Sequence, residues 1–171
     1  MSDVGWASNR EAEHAFDELA EGLGDEVVSA CTHVAASTHP DATPAVVLTV
    51  EVAGGGVRVL GGGDPDAATH ALDDVAARHE ARRGGRAFVF GGHLLLRGPM
   101  SVGELVAASA VDEVVMIGQR DRVADDVVID TQSFVRPTYD DGVLRLVVRP
   151  APGGTVVPFE QPDPTPCCAD H

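Results

Sequence analysis

Residues 45–60 read AVVLTVEVAGGGVRVL, two runs rich in β-branched residues on either side of a glycine triplet. Val and Thr favour the pleated, half-buried surface of a sheet, and consecutive glycines supply the positive φ angles of a tight connection. The stretch therefore predicts a β-hairpin. Upstream, residues 27–35 alternate, with Val28, Ala30 and Val34 on one side and Ser29, Cys31 and His33 on the other, the pattern of a half-buried strand. Downstream, Asp64 as N-cap, Pro65 at the first helical position and Arg78, Arg82 and Arg83 before Gly84-Gly85 mark a helix running to about Arg83 and closed by a left-handed glycine.

The same reasoning extends along the chain. Ser8 and Glu11 stand at capping-box spacing before Ala12, Ala15, Phe16, Leu19, Ala20 and Leu23, which share one helical face. AFVF and HLLLR flank Gly91-Gly92 as the two strands of a second hairpin would. Ser101 and Glu104 repeat the capping-box spacing and predict a short helix before VVMIG. The segments DVVIDTQSFVR, VLRLVVR and TVVPF, separated by DDG and PAPGG, read as an antiparallel meander. Helices and hairpins alternate without a βαβ rhythm. The fold class is therefore α+β: a single domain on a mostly antiparallel sheet, with hairpins, a C-terminal meander and two principal helices. The domain spans residues 1–157, and residues 158–171 form an extended, proline-rich C-terminal arm.

Composition narrows the partners. The 171 residues carry a net charge of -15, and all 12 basic residues are arginine. Nucleic acids and anionic membranes reward clustered positive charge, so neither is an expected partner. No stretch has the form of a secretion signal or a membrane span, and the three cysteines, Cys31, Cys167 and Cys168, suit free thiols in a reducing compartment. The expected location is cytoplasmic.

Candidate chemistry is sparse. The second glycine run invites a phosphate-loop reading, but no Lys-Ser or Lys-Thr follows and Asp64 and Asp66 already occupy the positive end of the helix. No serine-hydrolase, zinc-protease, kinase or dinucleotide signature occurs. His14, His70 and His79 sit among charged residues on predicted helices and read as solvated or satisfied surface groups. Arg136, Arg145 and Arg149 flank the meander, where at least one is expected to pair with Asp130, Asp140 or Asp141. Cys31 and His33, two apart on a strand, leave the same face and could chelate a soft or borderline metal, with His39 just beyond.

The densest ligand chemistry closes the chain. In PFEQPDPTPCCADH, Cys167, Cys168, Asp170 and His171 crowd behind four prolines. Thiolate and imidazole together suit zinc or copper, a thiophilic cofactor that Cys31 and His33 would help to hold. The sequence thus reads as a small acidic protein that handles metals or thiols through Cys167, Cys168, His171, Cys31 and His33. In an alternative, the tail docks to, or is modified by, a protein partner. A further alternative is a metal-dependent enzyme whose site the tail completes, and sequence leaves open whether the protein is an enzyme.

Overall fold

The computed structural model describes residues 5–23, 27–35, 45–54, 56–61 and 69–162. Among them are three α-helices and ten strands, a mostly antiparallel α+β architecture. The helices are α1 (Asn9–Leu23), α2 (Thr69–Glu80) and α3 (Val102–Ala108). The strands are β1 (Val27–Ala35), β2 (Ala45–Val52), β3 (Val57–Leu60), β4 (Arg86–Val89), β5 (Pro99–Ser101), β6 (Glu113–Met116), β7 (Val128–Asp130), β8 (Thr138–Asp140), β9 (Val143–Ala151) and β10 (Thr155–Pro158). They fall into two compact units, Met1–Gly91 with Thr138–Val143, and Gly92–Pro137 with Leu144–His171. No helix among the described residues is long and apolar enough to cross a membrane.

In the first unit the strand order is β3-β2-β1-β4-β8. The predicted hairpin is present, with Leu48 opposite Leu60 and Glu51 opposite Val57. Across β1 and β2, Cys31 faces Thr49, His33 faces Val47 and Ala30 faces Val50. Directly opposed residues share a face, so the register divides the sheet into an Ala30/Leu48/Val50 side and a Cys31/His33/Thr49 side. Helix α1 packs Ala12 and Phe16 onto the first, where Phe16 meets Phe88 edge to face at 5.1 Å. Its start is fixed as expected, Glu11 N–H donating to Ser8 Oγ at 3.2 Å. Helix α2 lays Val75 and Leu72 against Ala35, Val47 and Val59 on the second side.

Strand β1 is accordingly not half-buried in the sense its alternation suggested. Ser29, Cys31 and His33 are buried, while Val28 and Val34 on the apolar-looking side are 50% and 57% exposed. Both faces of the strand's middle are covered, Ala30 in the α1 core with Thr32 buried beside it, and the polar face because α2 closes over it. Only Val28 and Val34, towards the strand ends, stay exposed. Helix α2 stops at Glu80, three residues short of the expected Arg83. The left-handed conformation after it falls first on Arg82, with φ 52°, rather than on a glycine, and then on Gly84, with φ 68°. Asp64, Pro65 and Asp66 lie outside the described residues.

The second unit centres on β9, whose Leu144, Leu146 and Val148 are buried. Strand β6 pairs with it in parallel, Val114 opposite Leu146, and β10 pairs antiparallel, Val157 opposite Arg149. Beyond β10 lies β7, parallel at Val156 and Ile129, then β5, antiparallel at Met100 and Ile129. Within the predicted meander β9 and β10 pair antiparallel as expected, and the correction is β7, which pairs in parallel with β10. The other parallel pairing, β6 with β9, brings in a segment from outside the meander. The predicted capping box of α3 is complete: Glu104 N–H donates to Ser101 Oγ at 3.2 Å, and Ser101 N–H donates to the Glu104 carboxylate at 2.8 Å.

The HLLLR segment is no hairpin strand. Leu95 N–H donates to the Gly92 carbonyl at 2.9 Å, closing a short 3-10 turn at His93–Leu95 that leaves Leu94 and Leu95 exposed. Gly92, at φ 76°, leaves no room for a Cβ against the Ala108 carbonyl. Arg145 pairs with Glu113 at 2.5 Å, with Arg122 on the same carboxylate at 3.3 Å. Arg136 stacks on Phe134 at 4.2 Å.

Candidate metal centre

Three strand and helix positions converge under α2. Cys31 and His33 leave the same face of β1, as their spacing required. His79 meets them from α2, one turn after Val75. One ligand atom from each of the three residues lies within 4.8 Å of the others, and all three side chains are buried. Exposure is 0% for Cys31, 1% for His33, 2% for His79 and 0% for Thr49, which stands between them.

Thr49 Oγ1 organises the two rings. It lies 3.0 Å from His33 Nε2, 2.8 Å from His79 Nδ1 and 3.4 Å from the Cys31 carbonyl oxygen. The hydroxyl has a single proton, so it donates to one partner and accepts from an imidazole N–H. The ring centroids stand 5.8 Å apart. Gly85 on the adjoining segment makes the packing feasible, since a Cβ there would sit 2.8 Å from His33 Cε1 and 3.3 Å from Cys31 Cβ. A glycine is needed here for close approach, not for turn geometry.

The outer side of the cluster is charged. Glu51 Oε2 accepts from Ser29 Oγ at 3.0 Å and from Arg82 at 2.8 Å, and lies 3.7 Å from His79 Nε2. The Arg82 guanidinium also covers the Tyr139 ring at 5.0 Å. Two buried ring nitrogens, His33 Nδ1 and His79 Nε2, have no hydrogen-bond partner among the described residues. Such orphans cost free energy unless a water or an ion satisfies them.

Burial sets the protonation states. It pushes the Cys31 thiol up to about 12, an effect Arg82 only partly offsets. Burial pulls the His33 imidazole down to about 4, with His79 and Arg78 adding to the fall. His79 is lowered too, by burial first and then by Arg82, against the opposing pull of Glu51. The resting cluster is a protonated thiol beside two neutral imidazoles. A thiol held this way is a poor nucleophile, which argues against thiol chemistry at Cys31. Neutral imidazoles, by contrast, are already in the form that binds a metal.

The donor set fits a borderline or soft ion. Tetrahedral zinc, with Zn–S about 2.3 Å and Zn–N about 2.0–2.1 Å, places its ligand atoms roughly 3.3–3.6 Å apart, so the cluster closes by at most roughly 1.5 Å. A surface depression nearby is lined by Asp74, Arg78, Arg83 and Gly84 and by none of the cluster residues.

Of the residues singled out in the sequence, Cys31 and His33 are brought together and His14 is exposed on α1. His39, Cys167, Cys168 and His171 lie outside the described residues, as does the side chain of His70. The expectation for His79 is corrected: it is a buried member of the cluster, not a surface group. Its signal was present in the sequence, because Leu72, Val75 and His79 fall at i, i+3 and i+7 on one stripe. Comparison with family models, with curated proteins and with solved structures returned no match.

Proposed function

We propose that this chain is a metal-binding protein whose centre is formed by Cys31, His33 and His79 and takes a thiophilic ion, zinc or copper. One observation carries the reading: a thiol and two imidazoles converge in a buried site, with one ligand atom of each within 4.8 Å of the others. A catalytic ion keeps a position open to water, whereas these groups are closed to solvent. Burial therefore supports holding or delivering the ion rather than catalysis with it. In this reading Cys167, Cys168 and His171 supply the fourth ligand or the exchange site through which the ion is passed, and the acidic body raises the local concentration of cations.

The test is a titration of metal-stripped protein with Zn²⁺ and with Cu(I). The unaltered chain, a His79→Ala variant, and a variant ending after residue 162 are compared. One equivalent bound by the unaltered chain and lost in His79→Ala is the expected result. Equal binding by all three would remove both the centre and the tail from the proposal. Loss only on truncation would place the site in the tail alone.

A further inference from the structure

Cys31, His33 and His79 are shut away from solvent, so an ion reaching them must enter past a group that touches both the cluster and the exterior. Glu51 and Arg82 do so. Their side chains are 28% and 34% exposed, yet Glu51 Oε2 stands 3.7 Å from the buried Nε2 of His79. Resting on the metal reading above, we propose that the Glu51–Arg82 ion pair is the loading gate of the centre. In the same proposal Glu51 is the positioning residue that orients His79 for the metal.

Three features support this beyond proximity. First, Arg82 adopts φ 52°, a left-handed conformation that is unfavourable for a residue bearing a Cβ. Glycines stand just beyond Arg83 at positions 84 and 85, so the chain places a strained arginine where glycine would sit more easily. Backbone bonds hold it there, from Arg82 N–H to the His79 carbonyl at 2.9 Å and from Gly142 N–H to the Arg82 carbonyl at 3.0 Å. Strain of this kind points to a use for the side chain. Second, that side chain reaches back over the site, with Nη2 on Glu51 while Nη1 has no hydrogen-bond acceptor among the described residues. The latch is therefore held by one hydrogen-bonding nitrogen and by its stacking on Tyr139. Third, a metal-bound imidazole generally donates its remaining N–H to a carboxylate, which fixes the ring and raises its basicity. His79 Nε2 is unpartnered and faces the carboxylate needed.

A sequence of events follows. Arg82 swings off Glu51 and Tyr139, the carboxylate meets the incoming cation, and the ion passes inward to His79, His33 and Cys31 as the thiol gives its proton to solvent. Once the ion is seated, Glu51 turns to the His79 N–H and its hold on Arg82 weakens. No bond other than S–H is broken and no redox change is required.

Co²⁺ is the probe, because its thiolate charge-transfer and d–d bands report ligation directly. Full-length protein is compared with Glu51→Gln, Glu51→Asp and Arg82→Gly, each checked for native circular dichroism. Glu51→Gln is expected to weaken Co²⁺ roughly 10- to 100-fold, the usual penalty for losing such a partner, and Glu51→Asp to recover part of the loss. Arg82→Gly suits the backbone at this position. It should load Co²⁺ and release it to chelator at least about tenfold faster, with a smaller change in affinity, since a gate alters rates more than equilibria. Unchanged affinity in Glu51→Gln, or unchanged rates in Arg82→Gly, would overturn the gate while leaving the metal centre standing. Absence of cobalt bands in the unaltered protein would overturn the centre and the gate together.

Discussion

The two faces of one pair of strands behave oppositely. On the α1 side of β1 and β2, Ala30, Val46, Leu48 and Val50 meet Ala12, Phe16 and Phe88 in a conventional apolar core. On the α2 side the same strands present Ser29, Cys31, His33, Thr49 and Glu51, and the first four are at least as well buried. Apolar burial stabilises a fold by about 25 cal/mol per Å², whereas burying polar groups costs free energy unless their hydrogen bonds are replaced. The α2 face sets its own apolar cluster of Ala35, Val47 and Val75 beside these polar groups, so the α1 face, with its larger cluster, is the greater stabiliser of the first unit. A protein that only needed to fold would place Val or Leu at positions 31, 33 and 79.

The largest effect that tests this division is truncation of the stabilising face. Leu48→Ala, at a fully buried site, should cost about 2–5 kcal/mol, read from the urea midpoint, while the folded protein keeps its cobalt spectrum. Loss of the metal with the fold still intact would show that the faces are not separable.

Acid should strike the other face. His33 is held down to about 4 in the folded chain against 6.5 when free, so as pH falls the unfolded chain takes up the proton first. Stability is complete above 6.5, declines through the window from 6.5 to 4 and levels off below it. His33 alone accounts for about 3 kcal/mol of this, and the lowering of His79 acts in the same direction. Urea midpoints of metal-free protein across that range should slope accordingly, and His33→Gln should flatten the slope. An equal slope in the variant would assign the acid sensitivity elsewhere.

What the sequence made legible was local. The hairpin of residues 45–60, the start of α1 and the capping box of α3 are each specified by a few neighbouring residues, and each formed as expected. Spacing alone placed Cys31 and His33 on one face. Whether that face was covered depended on α2 crossing it, a contact no local pattern encodes. Thus the alternation of β1 suggested an exposed polar side and the structure buried it. His79 belonged to the readable stripe of α2, but its charged neighbours Arg78 and Glu80 pointed to solvent. The parallel pairings of β6 with β9 and of β7 with β10 join distant segments and left no trace in turn chemistry. At HLLLR the leucines outweighed the turn that Gly92 begins.

Gly85 offers a smaller but more specific way to probe the polar face. The Cβ of Gly85→Ala would press on His33 Cε1 at 2.8 Å, Nε2 at 3.0 Å and Cys31 Cβ at 3.3 Å. Overpacking of this kind typically costs about 1–3 kcal/mol. Because the strain is shared with His33, the double variant Gly85→Ala/His33→Ala should recover part of it, a coupling of about 0.5 kcal/mol or more. Strict additivity of the two single costs would mean that the glycine serves its own segment and not the cluster.

The least disruptive test leaves the fold untouched and asks how closed the polar face is. In a Cys167→Ser/Cys168→Ser background Cys31 is the sole thiol, 0% exposed and pushed by burial up to about 12. Disulfide exchange requires both thiolate and access, so labelling by an aromatic disulfide at pH 8 should await opening of the first unit. Under native conditions the reaction should be slower than in urea by a factor close to the opening equilibrium, and Leu48→Ala should accelerate it in proportion to the stability lost. Arg82→Gly discriminates between two routes. If the gate alone exposes Cys31, this variant reacts faster without a lowered urea midpoint, since glycine relieves the strain at this position. If exposure needs α2 to lift, it reacts no faster than the parent, and the buried face answers to the stability of the first unit as a whole.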